Sequence, residues 1–138
     1  MTDKALIIIP TYDERENAEA MSAAVLKVVP EADLLFVDDN SPDGTGVVLD
    51  EIAAREPRVF VLHRPGKEGL GRAYIAGFKW ALAHDYEWLC EMDCDFSHDP
   101  NALPALLQAA RAGADLVLGS RYIGGIRVMN WPMSRLLL

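Results

Sequence analysis

The stretch ALIIIPTYDERENAEAMSAAVLKVVPEADLLFVDDN, residues 5–40, decides the fold. Its first run, ALIIIP, is apolar and rich in β-branched residues, and Pro10 stops it, so it reads as a buried strand. From Glu14 to Val28 the apolar positions Ala18, Met21, Val25 and Val28 recur at intervals of three and four, the spacing of one helix face. DLLFVDD, residues 33–39, is then a second apolar strand. Neither strand alternates apolar with polar residues, as expected when both faces of a parallel sheet are covered. Strand, helix, strand in this order is the crossover unit of such a sheet.

The same alternation continues outward. SPDGT (41–45) has turn residues, and Thr45 can cap a helix through about Glu56 that buries Val48, Leu49, Ile52 and Ala53. RVFVLH (58–63) is a third strand. The glycine-containing loop RPGKEGLG leads into a helix with Ile75, Phe78 and Leu82 on one face. YEWLCEMD (86–93) is a fourth strand. Asp99 and Pro100 suit the cap and first turn of a helix burying Leu103, Leu106, Leu107 and Ala110. ADLVLGS (114–120) is a fifth strand. The expected class is α/β, a mostly parallel sheet with helices on both faces. The final segment has no clear period, holds Gly124-Gly125 and Pro132, and stops on Leu136-Leu137-Leu138 as an apolar helix begins. Residues 1–138 are therefore expected to be a single domain cut from a longer chain at its C-terminal side.

Bulk properties narrow the function. A chain of 138 residues supports one domain with a real core. The net charge of −8 argues against a nucleic-acid partner, which demands a basic face. No acidic residue follows Asp115, whereas Arg121, Arg127 and Arg135 do, so one end can accept an anion. No run of about 18 apolar residues marks a membrane span. No leader-like start is visible, so a cytoplasmic location is expected. Cys90 and Cys94 are the only cysteines, too few for a zinc site and expected to remain reduced.

In parallel α/β sheets, ligands gather at the carboxyl ends of the strands. Those ends are Pro10-Thr11-Tyr12, Asp38-Asp39-Asn40, His63-Arg64, Asp93-Cys94-Asp95 and Gly119-Ser120-Arg121. Asp93 and Asp95 can share a hard divalent cation, Mg2+ or Mn2+, or can be loop acids capping the next helix. Of Asp38 and Asp39, one is expected to point into the cleft and one away; either can instead be a turn aspartate. Tyr12 offers a stacking face, and Glu14 is a ligand contact or a first-turn acid. Arg64, Lys67 and Arg72 suit phosphates or a surface turn, and the loop matches no phosphate-binding fingerprint. His98 is a ligand, a base or a hydrogen-bonding loop residue.

Taken as an ordered set, PTYDEREN, FVDDNSPDGT, GKEGLGRAYIAGF, MDCDFSHDP, GSRYIGG and NWPMSR resemble the inverting family 2 glycosyltransferases. Within that family they are most similar to the dolichol-phosphate (polyprenol-phosphate) mannose synthases. The resemblance implies a GT-A fold, a Rossmann-like sheet that binds a nucleotide sugar. It also implies transfer of mannose from GDP-mannose to a polyprenyl phosphate at the inner face of a membrane. Carried over, Pro10, Tyr12, Glu14, Val37 and Asp39 would hold the nucleotide. Asp93 and Asp95 would bind the cation and donor diphosphate, with Cys94 contributing backbone. Arg121 and Arg135 would meet the donor diphosphate and the acceptor phosphate.

Two positions depart from the family pattern: Asp13 where Asn is common, which should leave the loop intact, and Cys94 where Ala is usual, which could admit oxidation to the site. Three rivals remain at this level. One is another family 2 transferase using UDP-glucose with undecaprenyl phosphate or a glycan. The others are a nucleotide-binding module and a receiver domain, though receivers carry their acidic pair after the first strand.

Overall fold

The computed structural model describes residues 3–120. Four strands, β1 (Ala5–Thr11), β2 (Asp33–Asp38), β3 (Val59–His63) and β4 (Trp88–Glu91), pair in parallel in the order β3-β2-β1-β4. Between them lie α1 (Arg15–Val28), α2 (Thr45–Arg55) and α3 (Leu70–Leu82). After β4 come a 3-10 turn (Pro100–Ala102) and α4 (Leu103–Arg111).

The continuous apolar runs divide by parity. Ala5, Ile7 and Ile9 of β1, with Leu34 and Phe36 of β2, pack with residues of α1, α2 and α4. Leu6, Ile8, Leu35 and Val37 pack on the other face, with residues of α3. All six residues of β2 are buried, so every position on it is core. Burying an isoleucine or leucine of this kind contributes roughly 1.5–3 kcal/mol.

Three expectations change. First, residues 114–120 are not a strand. They lie across a groove of about 670 Å3 whose opposite wall is Glu87–Glu91. A strand needs a hydrogen-bonded neighbour, and the only described neighbour of β4 is β1. Leu116 and Leu118 are accordingly 77% and 76% exposed. Second, α3 does not bury Ile75 and Leu82, which are 52% and 81% exposed. It buries Ala73, Gly77 and Ala81 instead. A methyl group at Gly77 would stand 2.7 Å from Ile8 Cγ2, so the helix approaches the sheet too closely for any side chain there. Third, Asp43, not Thr45, caps α2. Its Oδ1 accepts the Thr45 N–H at 2.9 Å, while Gly44 takes a left-handed conformation at the N-cap.

Among the described residues no helix is long and apolar enough to cross a membrane.

Candidate active site

Strand order reverses between β1 and β4, because the chain builds β1, β2 and β3 in one direction and then returns to add β4 on the far side of β1. Loops leaving adjacent strands at such a switch point diverge and leave a cleft at their carboxyl ends. Here the cleft has a volume of about 400 Å3 and is lined by Pro10, Tyr12, Glu14, Asp39, Lys67, Ala73, Asp93, Cys94 and Asp95, among others. Seven of the ten expected site residues therefore meet in one place. Val37 does not: its side chain is fully buried in the α3-side core. Arg121 and Arg135 lie outside the described residues. The larger groove beyond β4 holds none of these side chains.

The backbone at these strand ends is unusual. Among the described residues, the non-glycine positions with positive φ are Asp13 (56°), Asn40 (56°) and Phe96 (60°), one after each of β1, β2 and β4. Asn and Asp tolerate this left-handed region well, which is why Asp13 keeps the loop shape expected of Asn. After β1 such a turn brings the next side chain, Glu14, to the cleft.

The two aspartates that end β2 take different roles. Asp38 is 2% exposed and accepts hydrogen bonds from Thr11 Oγ1 (2.8 Å), Ser41 N (3.1 Å) and Ser41 Oγ (2.6 Å). It is a structural turn residue. Asp39 faces the cleft and accepts a hydrogen bond from Arg64 Nη1 at 2.7 Å. Arg64 also donates to Glu68 at 2.8 Å. Arg64 thus serves carboxylates and fixes Asp39, leaving little of the phosphate role its sequence position suggested.

Tyr12 presents its ring to Lys67, whose Nζ lies 4.2 Å from the ring centroid. This cation–π contact pre-orients the ring. Lys67 is also the cation that the β3–α3 loop brings to the cleft wall.

Opposite stand the acids. Burial pushes the Glu14 carboxyl up, and the charges of Asp95, Asp43 and Asp93 push the same way against a hydrogen bond from Asn17. Burial also works to raise Asp95, but hydrogen bonds from the Ser97 side chain and backbone N–H outweigh it and hold that carboxyl below its usual value. Asp93 accepts a hydrogen bond from the Tyr74 hydroxyl at 3.4 Å. Burial drives the Tyr74 phenol far above its ordinary range, so it is a permanently neutral donor. The cleft therefore gathers four acidic side chains, Glu14, Asp39, Asp93 and Asp95, and the raised Glu14 carboxyl registers the repulsion among them. A cation relieves that repulsion. Among the described residues no group of three His, Cys, Asp or Glu side chains could hold an ion by itself. One or two carboxylates completed by substrate phosphates is the arrangement magnesium-type ions adopt, and Asp93 with Asp95 fit it.

Cys94 is 2% exposed, and burial pushes its thiol far up, with the charges of Glu14, Asp95 and Asp93 adding to the effect. Burial pushes the Cys90 thiol up to about 11. A buried thiol that resists ionisation is unreactive, so the oxidation expected at Cys94 is not supported. Asp99 caps the turn before α4 as expected, its Oδ1 accepting the Asn101 N–H at 3.0 Å.

Tyr74 and the Lys67–Tyr12 pair were missed from sequence. Tyr74 follows Ala73 on a helix that packs by its small residues, and only that packing turns the tyrosine toward β4.

The family Glycosyl transferase family 2 matches residues 6–137. A polyprenol monophosphomannose synthase of Mycolicibacterium smegmatis is 53% identical over 138 residues, covering 99% of this chain and 52% of that protein. An undecaprenyl-phosphate mannosyltransferase of Micrococcus luteus is 54% identical over 132 residues, covering 96% of this chain and 54% of that protein. This chain thus spans about half the length of these curated relatives. Among solved structures, S. aureus TarS 1-349 superimposes with a TM-score of 0.62 at 17% identity, covering 86% of this chain and 39% of that one. At that identity the likeness concerns the fold, and it agrees with a GT-A sheet.

Proposed function

This chain belongs to glycosyl transferase family 2, and from that premise we propose that it is the donor-binding part of a polyprenol-phosphate mannosyltransferase. The observation that carries the reading is the convergence of Asp93, Asp95, Asp39, Glu14 and Tyr12 at the β1/β4 switch point. The two relatives above, named for mannose transfer and more than half identical over nearly the whole chain, support the sugar and the acceptor class.

The reaction is a direct displacement at the anomeric carbon. An oxygen of the polyprenyl phosphate forms the new C–O bond as the bond to the GDP diphosphate breaks, with inversion. A phosphate monoester is already anionic near neutral pH, so the attacking oxygen needs little general-base help. The demand on the protein is to bring two anions together in line. Asp39, held by Arg64, would accept hydrogen bonds from the base or ribose. Tyr12, steadied by Lys67, would cover the nucleoside, with Pro10 and Glu14 beside it. Asp93 and Asp95 would hold a divalent cation, Mg2+ or Mn2+, whose charge offsets that building on the leaving diphosphate. Arg121 and Arg135 would neutralise the remaining phosphate oxygens. A lipid acceptor would bring the full-length protein to a membrane surface, the cytoplasmic one on the expectation from sequence.

The test is mannose transfer by the full-length protein to a polyprenyl phosphate, with and without divalent cation. Asp95→Ala should lower turnover by roughly a thousandfold, within the range for loss of one electrostatic contact to the transition state. Full activity in that variant would refute the assignment. Calorimetry should show GDP-mannose binding more tightly than UDP-glucose; the reverse order would move the protein to another donor.

A further inference from the structure

The mechanism above leaves one conspicuous side chain unused. Asp93 N is the first amide past the end of the β4 ladder, whose last bond to β1 runs from Met92 N to Ile8 O at 3.1 Å. An amide leaving a sheet in a half-buried position needs an acceptor. It finds one in His98 Nδ1, at 3.1 Å. The ring's other nitrogen, Nε2, lies 3.9 Å from Asp93 Oδ2. One imidazole thus meets both the backbone and the carboxylate of the same aspartate.

The chemistry of that contact fixes which ring nitrogen accepts. A backbone N–H is always a donor, so Nδ1 is the acceptor in this contact. Nε2 stands 3.9 Å from Oδ2, too far for a direct hydrogen bond, while the Tyr74 hydroxyl reaches Oδ1 at 3.4 Å. The bond from Asp93 N to His98 closes a loop from residue 93 to residue 98. Inside it, Ser97 N donates to Asp95 Oδ1 at 2.9 Å, and Phe96 adopts its left-handed conformation. Both acids of the Asp93–Asp95 pair therefore belong to a ring of atoms that His98 closes.

We propose that His98 is a positioning residue: by accepting the Asp93 N–H and facing Asp93 Oδ2, it sets the angle between the Asp93 and Asp95 carboxylates for a divalent cation. This rests on the reading of those two acids as the cation's ligands. His98 touches neither sugar nor phosphate in this role. Residues that orient ligands from behind typically change metal affinity when replaced.

The test uses the full-length protein, Mn2+ as probe and GDP present, with free Mn2+ followed by electron paramagnetic resonance. His98→Leu removes the acceptor and should weaken Mn2+ binding roughly 10–100-fold, the usual cost of losing such a partner. His98→Asn offers an oxygen where Nδ1 stood and should stay within about threefold of the parent on the same scale. Circular dichroism should show both variants folded. Without metal, nitrogen NMR of the parent should show the His98 ring unprotonated at Nδ1. The proposal falls if His98→Leu binds Mn2+ like the parent, if His98→Asn is as weak as His98→Leu, or if the proton sits on Nδ1. Mn2+ binding that survives Asp95→Ala would instead refute the cation site itself, and this role with it, even with Nδ1 unprotonated.

Discussion

The loops above β1 and β2 and the flank beyond β4 are built on opposite terms. Over β1 and β2, side chains of one loop satisfy the backbone of the next. Helix α1 has no side-chain cap of its own. Instead Ser41 Oγ accepts the N–H of Asp13 (3.1 Å), Thr45 Oγ1 that of Glu14 (3.0 Å) and Asp43 Oδ2 that of Arg15 (3.2 Å). Beyond β4, the groove between Glu87–Glu91 and Asp115–Gly119 separates two walls that share no ladder, and two leucines face outward. Tyr12, Glu14 and Asp39, proposed above to hold the nucleotide, hang from the cross-linked side. Asp93 and Asp95, the proposed cation ligands, follow β4, the strand whose outer edge has no partner among the described residues. The two sides of the cleft thus differ in how many side chains tie neighbouring loops together.

The largest effect is expected where the cross-links converge. Asp38→Ala leaves the Thr11 hydroxyl, the Ser41 hydroxyl and the Ser41 N–H without their common acceptor in a buried setting. Each orphaned group costs about 1–3 kcal/mol, so a loss of roughly 3 kcal/mol is expected in denaturant unfolding. Asp38→Asn, which keeps one acceptor oxygen, should recover part of it. An alanine variant as stable as the parent would mean that the loop is not held from this point.

Next comes the bridge from α2 to α1. Thr45 is fully buried, and its hydroxyl joins Asp43 to the Glu14 N–H. Thr45→Val preserves shape and removes the oxygen, so a loss of about 1–2 kcal/mol is expected. Nucleotide affinity should fall with it, because Tyr12 and Glu14 lose their anchor. Unchanged affinity in the valine variant would show that β1 alone positions them.

The same contrast explains what could be read beforehand. The strands β1 and β2 are legible because burial on both faces leaves an unbroken apolar run, and the half-buried β3 because its residues are still mostly apolar; the carboxyl-end rule then gathers Tyr12, Glu14, Asp39, Asp93 and Asp95. ADLVLGS has a comparable run and still forms no strand, because pairing depends on a neighbour that a local pattern does not reveal. Helix α3 misled for another reason. Its large apolar residues advertise a face, but the short distance to Ile8 selects the small face of Ala73, Gly77 and Ala81. Which of Asp38 and Asp39 faces the cleft follows from partners 3 to 27 positions away, beyond the reach of a two-residue period.

A smaller effect is expected at Glu14, where the cross-linked side meets the acids of β4. Its carboxyl is pushed up by burial, and by Asp95, Asp43 and Asp93. A raised carboxyl is a folding cost while it is ionised in both states. That cost is present above its folded value, declines as pH falls through that value, and is gone below the ordinary carboxylate range. Glu14→Gln should therefore raise the thermal midpoint of the metal-free protein at neutral pH by a degree or two. The gain should shrink as the pH falls through the folded value and vanish toward about pH 3, where the carboxyl is protonated in the folded and unfolded states alike. A midpoint that rose equally at both pH values would assign the effect to packing and not to charge.

The smallest effect is expected on the far flank, and it tests the comparison most directly. Leu118 is 76% exposed and belongs to no strand, so Leu118→Ser removes little buried area. Exposed substitutions of this kind change stability by no more than about 0.5 kcal/mol. The 138-residue chain should keep its unfolding midpoint in urea. A loss above about 1 kcal/mol would mean that Leu118 is covered in solution, since only a side chain removed from water can cost that much when its methyl groups are deleted. The walls of the groove would then be buried surfaces, and the contrast between the cross-linked loops and the far flank would narrow.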